Sequence, residues 1–446
     1  MDVYEAAAAL RERGVQFLFA QCVDLFGVPR AKLVPVEHIM DLVPPDGGAF
    51  FQGFATYGLG SGPHEGDMAS IPDWDTLTVL PWRPNTARFA SDVYQDGRPS
   101  FLCSRSILKR VREQARQQGY ILNMGVEPEF YLVRRTDHGI EPFDAADTLS
   151  RPCYDMRGIT RSLDFLQRLI GYMQELGWDV YATDHEDSNA QFEINFTYTE
   201  CLTTCDRYVF FKYMAQTLAQ EIGAQACFMP KPWANKTGNG AHTHLSLWDA
   251  ETGRRNLFLD EQDELGLSPL AYHFIGGLLA HARAVSALTG PTVNSYKRLI
   301  AVPTESGATW APVAVVFGGN NRTQMLRVPG PGRVENRTVD SSCNIYLATA
   351  AILAAGLDGI NRRLDPGQRN DLNIYSLGPR QLSERGITLL PSTLKEALEA
   401  LDADPVIRGA LGQEFTDRYI ALKLQEWHEY HNTVTQWEVD RYASLV

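Results

Sequence analysis

The stretch Gly125-Val126-Glu127-Pro128-Glu129-Phe130-Tyr131 places two carboxylates two residues apart among apolar side chains. In an extended chain alternate side chains share a face, so Glu127 and Glu129 would stand on one face roughly 7 Å apart. Two negative charges on one strand face repel each other unless positive charge lies nearby. The stretch therefore fits either a solvated strand face or a site for a divalent metal ion.

Three later stretches repeat this alternation of polar and apolar side chains. They run from Gln191 to Phe196, from Ala241 to Trp248 and from Arg333 to Arg337. Each would place charged, amide or imidazole side chains on one strand face, and four such strands predict a sheet curved around a wet, charged cavity. Carboxylates together with His242 suit magnesium or manganese better than zinc, which prefers cysteine and histidine.

Length and composition describe an ordinary globular protein. The chain has 446 residues, of which 44% are hydrophobic and 21% are charged, and two domains are expected at this length. The formal net charge of −13, with no basic run to offset it, argues against nucleic-acid binding. Local arginine clusters can still bind anionic substrates.

Neither a signal peptide nor a membrane span is predicted. The stretch from Met1 to Glu5 lacks a basic and apolar leader. The longest apolar run, from Leu347 to Leu357, is too short to cross a bilayer. Seven cysteines without CxxC spacing fit reduced thiols. We therefore expect a cytoplasmic protein that does not contact a membrane.

Apolar spacing and terminal glycine or proline residues predict the main helices. Their expected bounds are Ser104 or Ser106 to Gly119, Thr160 to Glu175, Asp206 to Glu221, Ser268 to Leu288 and Asn344 to Arg363, followed by a helical tail from Asp404 to Val446. A strand from Val15 to Asp24 should return as Arg30 to Val34. Polar-faced strands that alternate with helices indicate an α+β catalytic domain.

Anion-binding side chains are concentrated late in the chain. Surface charge is the ordinary explanation for any one of them, but their interleaving with Glu335 favours an anion-binding wall. The set is Lys297, Arg298, Arg322, Arg327, Arg333 and Arg337. No GxxxxGK[ST] loop occurs, so metals and arginines would have to hold any nucleotide phosphates. That combination is typical of phosphoryl transfer.

Seven ordered motifs, covering nearly the whole chain, resemble the glutamine synthetase superfamily. They are Glu127-Pro128-Glu129-Phe130, His185-Glu186 with Gln191-x-Glu193, Lys231-Pro232, Gly238-Asn239-Gly240-Ala241-His242-Thr243-His244-x-Ser246, Pro291 to Arg298, Asn321-Arg322 and Arg333-x-Glu335-x-Arg337. Three further phrases resemble the type III glutamate–ammonia ligases and the γ-glutamylmethylamide synthetases. These are Phe228 to Pro232, Ser306 to Pro312 and Val328 to Arg333.

The resemblance implies an α+β fold with two domains. Residues 1–101 would form a β-grasp-like N-terminal domain. Residues 102–446 would form the glutamine synthetase catalytic domain, a curved antiparallel sheet, or half-barrel, surrounded by helices. The resemblance also implies a homo-oligomer, a dodecamer of two hexameric rings, in which neighbouring subunits share each active site.

The resemblance assigns roles to individual residues. Glu129, Glu186 and Glu193 would hold one metal ion, and Glu127, His242 and Glu335 a second. Gly238, His242, Arg298 and Arg337 would contact the glutamate substrate. His244, Ser246, Arg327 and Arg333 would face ATP, and Arg322 would act on the transferring phosphate. The implied cofactors are ATP and two or three Mg²⁺ or Mn²⁺ ions.

The implied reaction joins L-glutamate to an amine. ATP phosphorylates the γ-carboxylate, and ammonia or a small alkylamine then displaces phosphate from γ-glutamyl phosphate. Metal ions and arginines neutralise the developing charge, and closure of the site must exclude water.

Two departures from the family pattern bear on the amine. Ammonia-using relatives carry an ammonium-binding aspartate where this chain reads Phe54 to Gly58, and a flap glutamate where it has Trp310. An indole and Tyr57 would make a more apolar pocket that still attracts a cation to its ring faces. Methylamine or another small alkylamine is therefore expected to serve at least as well as ammonia. Glu305, on the lengthened loop, is the candidate replacement proton acceptor.

Two other interpretations remain open from the sequence. One is a guanidino phosphotransferase on a related fold, which would leave phosphate on its acceptor instead of releasing it. The other is a non-catalytic scaffold derived from a synthetase, against which the complete carboxylate–histidine set argues.

Overall fold

The computed structural model describes residues 3–44, 47–60, 62–307 and 309–445. Met1 and the last residue of the predicted tail, Val446, lie outside the described residues. The α-helices are α1 Val3–Glu12, α2 Ser104–Gln117, α3 Met156–Arg161, α4 Leu163–Glu175, α5 Cys201–Glu221, α6 Pro269–Ala280, α7 Ala282–Thr289, α8 Ser295–Arg298, α9 Ile345–Arg362, α10 Pro379–Glu384, α11 Leu394–Asp402, α12 Pro405–Leu411, α13 Gln413–His431 and α14 Gln436–Tyr442.

The β-strands fall into two sheets. They are β1 Phe17–Val23, β2 Pro29–Pro35, β3 Ala49–Phe51, β4 Met68–Pro72, β5 Thr78–Leu80, β6 Arg83–Gln95, β7 Arg98–Pro99, β8 Tyr120–Thr136, β9 Gly139–Pro142, β10 Val180–His185, β11 Gln191–Phe196, β12 Thr199–Glu200, β13 Gln225–Cys227, β14 Ala241–Asp249, β15 Phe317–Gly318, β16 Leu326–Arg327 and β17 Val334–Asn336. Strands β1 to β7 form the first sheet, and β8 to β17 form the second.

The first sheet has the order β2-β1-β6-β4-β3, with β5 and β7 also paired to β6. The predicted hairpin of β1 and β2 is antiparallel, whereas β1 and β6 are parallel. Helix α1 contributes Ala7 and Leu10 to a small core that includes Leu18 of β1 and Phe89 of β6. The division after residue 101 would fall between this sheet and α2, and it stays a prediction.

The second sheet contains all four polar-faced stretches as strands β8, β11, β14 and β17. Its order is β10-β11-β8-β14-β17-β16-β15, with β9, β12 and β13 also on β8. The pairs are antiparallel except β15–β16, which is parallel. The sheet is barrel-like, and helices surround it. Helices α5 and α9 supply much of the large core beside it. The predicted α+β class is therefore confirmed.

The helix predicted from Ser268 to Leu288 is two helices, α6 and α7, that meet at His281. Nδ1 of His281 lies 2.6 Å from Oδ2 of Asp404, and Nε2 lies 3.0 Å from Oδ2 of Asp358. Burial lowers the pKa of His281, but these two carboxylates outweigh it and raise the pKa above its ordinary value. The break between α6 and α7 thus places His281 against two carboxylates that are distant in sequence.

Three other helix ends differ from prediction. The helix expected from Thr160 is two helices, α3 and α4, separated by Ser162. Helix α5 starts at Cys201, before the predicted Asp206, because the Glu200 carboxylate accepts from the backbone N–H of Leu202 at 3.1 Å. The N-cap of α2 is Cys103 instead of a serine.

Among the described residues no helix is both long and apolar enough to cross a bilayer.

A buried arginine ties the first sheet to helix α5. Arg105 of α2 is 2% exposed. Its guanidinium donates to Asp73 at 2.9 Å and Asp92 at 3.1 Å beside the first sheet, and to Asp206 of α5 at 2.9 Å. Burial raises the pKa of Asp73, but Arg105 and Lys109 outweigh it and hold that pKa below its ordinary value.

We expect Arg105→Met to destabilise the fold by roughly 3–5 kcal/mol, because it leaves buried carboxylates without their cation. Thermal unfolding followed by circular dichroism checks this as a lower Tm. Arg112→Met is the control. Arg112 lies on the same helix as Arg105, but its ion pair with Glu200 is more exposed. Equal Tm values for the two variants would contradict the assignment of Arg105 as the link.

Candidate active site

One row of polar side chains crosses the second sheet from strand to strand. Glu129 of β8 stands opposite Glu193 of β11, which stands opposite Asp184 of β10. On the other side of β8, Glu127 stands opposite His242 of β14. Farther along β14, His244 stands opposite Glu335 of β17. Cross-strand register therefore converts four separate sequence patterns into one ligand surface.

Most of the row lines a cavity of about 400 Å³, whereas His244 and Glu335 are not among its lining residues. Its wall includes Glu127, Glu129, Asp184, Glu186, Glu193, His242, Gly238, Lys231, Arg298, Arg322, Arg327, Arg337, Trp310 and five further side chains from residues 153, 154, 237, 304 and 309. Carboxylates occupy one part of this wall and cationic side chains another. Such a cavity suits an anionic substrate held beside metal ions.

Three carboxylates converge at the first predicted metal position. Oxygen atoms of Glu129, Glu186 and Glu193 lie within 4.8 Å of one another. Neutral donors orient each of them. Gly240 N donates to Glu129 at 2.7 Å, the Asp187 N–H donates to Glu186 at 3.0 Å, and Asn195 donates to Glu193 at 2.8 Å. An all-oxygen set of this kind fits Mg²⁺ or Mn²⁺.

The second predicted position is built around His242. Its Nδ1 atom lies 3.8 Å from Glu127, 3.7 Å from Glu129 and 3.7 Å from Glu335. Two overlapping ligand groups occur here, Glu127 with Glu193 and His242, and Glu127 with His244 and Glu335. The structure thus adds His244 to the candidate ligands, with Nε2 2.9 Å from Glu127.

Burial and charge divide the carboxylates into two classes. Burial raises the pKa values of Glu186 and Glu193 well above their ordinary values, and neighbouring carboxylates add to the shift. Burial also raises the pKa of Glu127, but the nearby imidazoles of His242 and His244 outweigh it and lower the pKa. For Glu335, Arg337 outweighs burial and lowers the pKa to about 2. Glu186 and Glu193 are therefore the carboxylates that most need an added cation.

Arginines form the opposite wall. Arg337 donates to Glu335 and, at 3.2 Å, to the backbone carbonyl of Trp310. Arg298 donates to the carbonyl oxygens of Thr338 at 3.3 Å and Arg337 at 3.1 Å. Arg327 donates to Glu335 at 2.8 Å. These backbone and carboxylate contacts fix the guanidinium groups in place, which suits bidentate binding of a carboxylate or phosphate.

Gly240 has a steric reason to be glycine. A Cβ atom at this position would lie 2.7 Å from Nε2 of His242 and 2.9 Å from both Glu129 and Arg298. A side chain here would push apart the groups that the site brings together.

The chain matches the glutamine synthetase catalytic domain family over residues 101–442. It is 47% identical to the glutamate–methylamine ligase of Methyloversatilis universalis, with all of both chains covered. It is 44% identical to a glutamine synthetase of Rhizobium leguminosarum bv. phaseoli, with 98% of each chain covered. A solved structure described as a GmaS/ADP complex superposes with a TM-score of 0.92 at 44% identity, covering 98% of this chain and 99% of the other.

The chain belongs to the glutamine synthetase family. It is an ATP-dependent ligase that forms a carbon–nitrogen bond between glutamate and an amine. ATP and divalent metal ions are the cofactors of the family, and the acidic groups described above fit such ions. The guanidino phosphotransferase interpretation finds no support among these relatives.

Some predicted site residues of the ligase lie away from the cavity wall. Glu305 is half-exposed, and its carboxylate accepts from Asn235 and, at 2.9 Å, from Lys236. Ser246 follows His244 on the same face of β14 and accepts from Trp248 at 2.9 Å. Arg333 is exposed just before β17. Their proposed roles stay predictions, and the contacts of Glu305 give its role as proton acceptor no support.

Sequence reasoning missed two polar residues of the ligase cavity. Asp184 lines it, and burial together with Glu129 and Glu127 raises its pKa to about 6. Alternation with Glu186 could have identified it. Lys231 also lines the cavity, and burial and Arg298 lower its pKa to about 8.

We expect Glu129→Ala to bind one Mn²⁺ ion fewer than the unaltered ligase and to retain about 1% of its activity or less. Loss of even an indirect metal partner costs about 10- to 100-fold, and Glu129 belongs to a direct ligand group. Electron paramagnetic resonance of Mn²⁺ titrations and phosphate release check the two effects. Glu141→Ala, on exposed strand β9, is the control. Unchanged Mn²⁺ stoichiometry would contradict the ligand assignment.

Proposed function

We propose that this ligase condenses L-glutamate with methylamine, or another small alkylamine, at least as well as with ammonia. The observation that carries the proposal is the indole of Trp310 in the cavity wall, at the place where ammonia-using relatives have a flap glutamate. The full-length similarity to a protein described as a glutamate–methylamine ligase supports it. Glutamine synthetases are nearly as similar, so activity must decide the amine.

Two metal positions are part of the proposal. Glu129, Glu186 and Glu193 would hold one ion, and Glu127, His242 and Glu335 the other, with His244 beside Glu127. Bound there, Mg²⁺ or Mn²⁺ supplies positive charge to the phosphoryl oxygens. Three overlapping ligand groups are consistent with two or three protein-held ions.

The remaining roles are those that the family resemblance implies, and the cationic wall supports the ones given to its arginines. Arg298 and Arg337, with the backbone at Gly238, would bind the glutamate substrate. Arg322 and Arg327 would neutralise the phosphate that is transferred, and Arg333, His244 and Ser246 would contact ATP. Fixed guanidinium groups need no rearrangement as charge develops, which is what electrostatic catalysis requires.

Asp184 is the carboxylate we assign to the incoming amine. It lines the cavity beside Glu193 on the neighbouring strand. An alkylammonium ion would be attracted to it, and Asp184 would accept the proton that the amine must lose before its lone pair attacks the γ-carbon. The carbon–oxygen bond to phosphate then breaks and the nitrogen gives its second proton to the departing phosphate, so the products are the γ-glutamyl amide and phosphate.

We expect kcat/KM for methylamine to equal or exceed that for ammonia, because one buried methyl group contributes roughly 0.8 kcal/mol. Phosphate release at saturating ATP and glutamate, with mass spectrometry of the amide, measures both. Trp310→Glu should shift the ratio toward ammonia, and neutral Trp310→Gln should shift it less. A tenfold preference of the unaltered ligase for ammonia, about 1.4 kcal/mol, would contradict the proposal.

A shared active site in a dodecamer of two hexameric rings is a further part of the proposal. Three aromatic residues of the first sheet and the loop after it, Phe50, Phe54 and Tyr57, are exposed at 46%, 54% and 61%. Aromatic clusters of this kind mark interaction surfaces. The loop of residues 51–59 would reach the region of Glu186 in a neighbour.

All seven cysteines are free thiols, which supports a reducing, cytoplasmic compartment.

We expect two inactive variants to restore partial activity when their subunits are mixed after mild dissociation. Glu129→Ala removes a metal ligand, and Tyr57→Glu alters the loop offered to the neighbour. A hybrid can contain sites in which both parts are intact. Light scattering and phosphate release check the assembly. An active monomer, or a mixture that stays inactive in mixed oligomers, would contradict the shared site.

A further inference from the structure

We infer that Asp187 is the positioning residue that holds the loop beside Trp310 against the cavity, so that γ-glutamyl phosphate meets the amine and not water. This inference rests on the proposed function. The loop, called the flap below, comprises residues 304–307 and 309–311. Asp187 directly follows Glu186, so the same turn carries a proposed metal ligand and the residue that contacts the flap.

Three neutral donors converge on one oxygen of Asp187. Oδ2 accepts from the Ser306 hydroxyl at 2.6 Å, from the Trp310 indole N–H at 3.0 Å and from the Thr237 hydroxyl at 3.2 Å. Asp187 and Ser306 are each 7% exposed. Hydrogen bonds to an ionised acceptor are about twice as strong as neutral ones. Two flap residues, four positions apart, thus depend on one buried charge.

The Asp187 carboxylate has no competing cation in the described parts of the chain. No ion pair found there includes it, and its side-chain partners are the three uncharged groups named above. A buried carboxylate that lost these donors would be costly to leave unpaired. The flap and Asp187 therefore stabilise each other.

The contact determines what lines the cavity. Thr304, Thr309, Trp310 and Ala311 all form part of its wall. The Arg337 guanidinium also donates to the backbone carbonyl of Trp310 at 3.2 Å. Trp310 is therefore fixed through both its backbone and its indole. The N–H bond fixes the plane of the indole, and with it the ring face available to an alkyl group.

Loss of this contact has a defined chemical consequence. If water enters, its oxygen bonds to the γ-carbon of γ-glutamyl phosphate and the carbon–oxygen bond to phosphate breaks. Glutamate, phosphate and a proton are released, and the net reaction is ATP hydrolysis. A loosened flap should therefore raise phosphate release that yields no amide.

The experiment compares phosphate released with amide formed in Asp187→Ala, Asp187→Asn and the double variant Ser306→Ala/Trp310→Phe. We expect Asp187→Ala and the double variant to raise the phosphate-to-amide ratio about tenfold or more, the size of one lost hydrogen bond to a charged group. Asp187→Asn keeps an acceptor oxygen and should restore much of the coupling. Asp137→Ala, in the exposed turn between β8 and β9, is the control.

The double variant keeps Asp187 and its bond to the Thr237 hydroxyl but removes both flap donors, and the Tm of each variant reports any effect on folding. Trp310→Phe alone keeps an aromatic ring but loses the indole donor, and it should also lower the preference for methylamine over ammonia. A purely structural role would lower Tm while leaving the phosphate-to-amide ratio unchanged, and that result would overturn the inference.

The proposed amine preference can fail separately. Glutamate-dependent phosphate release without any amine tests the flap whichever amine the ligase prefers. If the unaltered ligase prefers ammonia but the Asp187 and flap variants are uncoupled, the inference holds while the proposed preference is wrong. If they remain coupled, Asp187 does not position the flap.

Discussion

Mutual repulsion among buried carboxylates is the constraint on which the rest of the site depends. Histidines compensate Glu127, and Arg327 and Arg337 compensate Glu335. In the described parts of the chain, no lysine or arginine forms an ion pair with Glu186 or Glu193. Burial and like charge make their ionised forms costly, so we expect a bound divalent cation to stabilise this region. The fold thus keeps one part of the cavity short of positive charge.

Strand β8 can impose this crowding because it changes partners within the motif. It pairs with β14 as far as Pro128, and with β11 from Glu129 onward. Proline cannot donate to a sheet ladder and is confined to edges, strand starts and bulges; here it stands where one pairing ends. Glu127 consequently faces the histidines of β14, and Glu129 faces Glu193 of β11. Two residues with the same side-chain chemistry serve two different ligand groups.

Period-two patterns identified the carboxylate and imidazole side chains that the sheet brings together, because alternation is local and register follows from burial of the apolar face. Asp184 was missed although it obeys the same alternation, since its strand has no apolar partner face to mark it. The role expected of Glu305 depends on loop geometry. Its carboxylate bonds to Asn235 and Lys236, which lie some 70 residues away in the sequence. The break at His281 likewise depends on Asp358 and Asp404. Such contacts leave no local pattern to read.

Binding energy alone can discriminate only weakly between methylamine and ammonia. The orientation of the flap is therefore expected to matter more than the affinity of the pocket. A single buried methyl group contributes only about 0.8 kcal/mol, so affinity alone cannot exclude ammonia strongly. Both amines arrive as cations, and Asp184 would attract either one. An indole held in one orientation presents a ring face that the methyl group of methylamine would cover. Ammonia has no methyl group, so the same ring face would stay in contact with water. Because water also attacks the activated carboxylate, the amine that fills the site best is also the one that protects the intermediate. If both proposals hold, selectivity and coupling would be two consequences of the same flap contact.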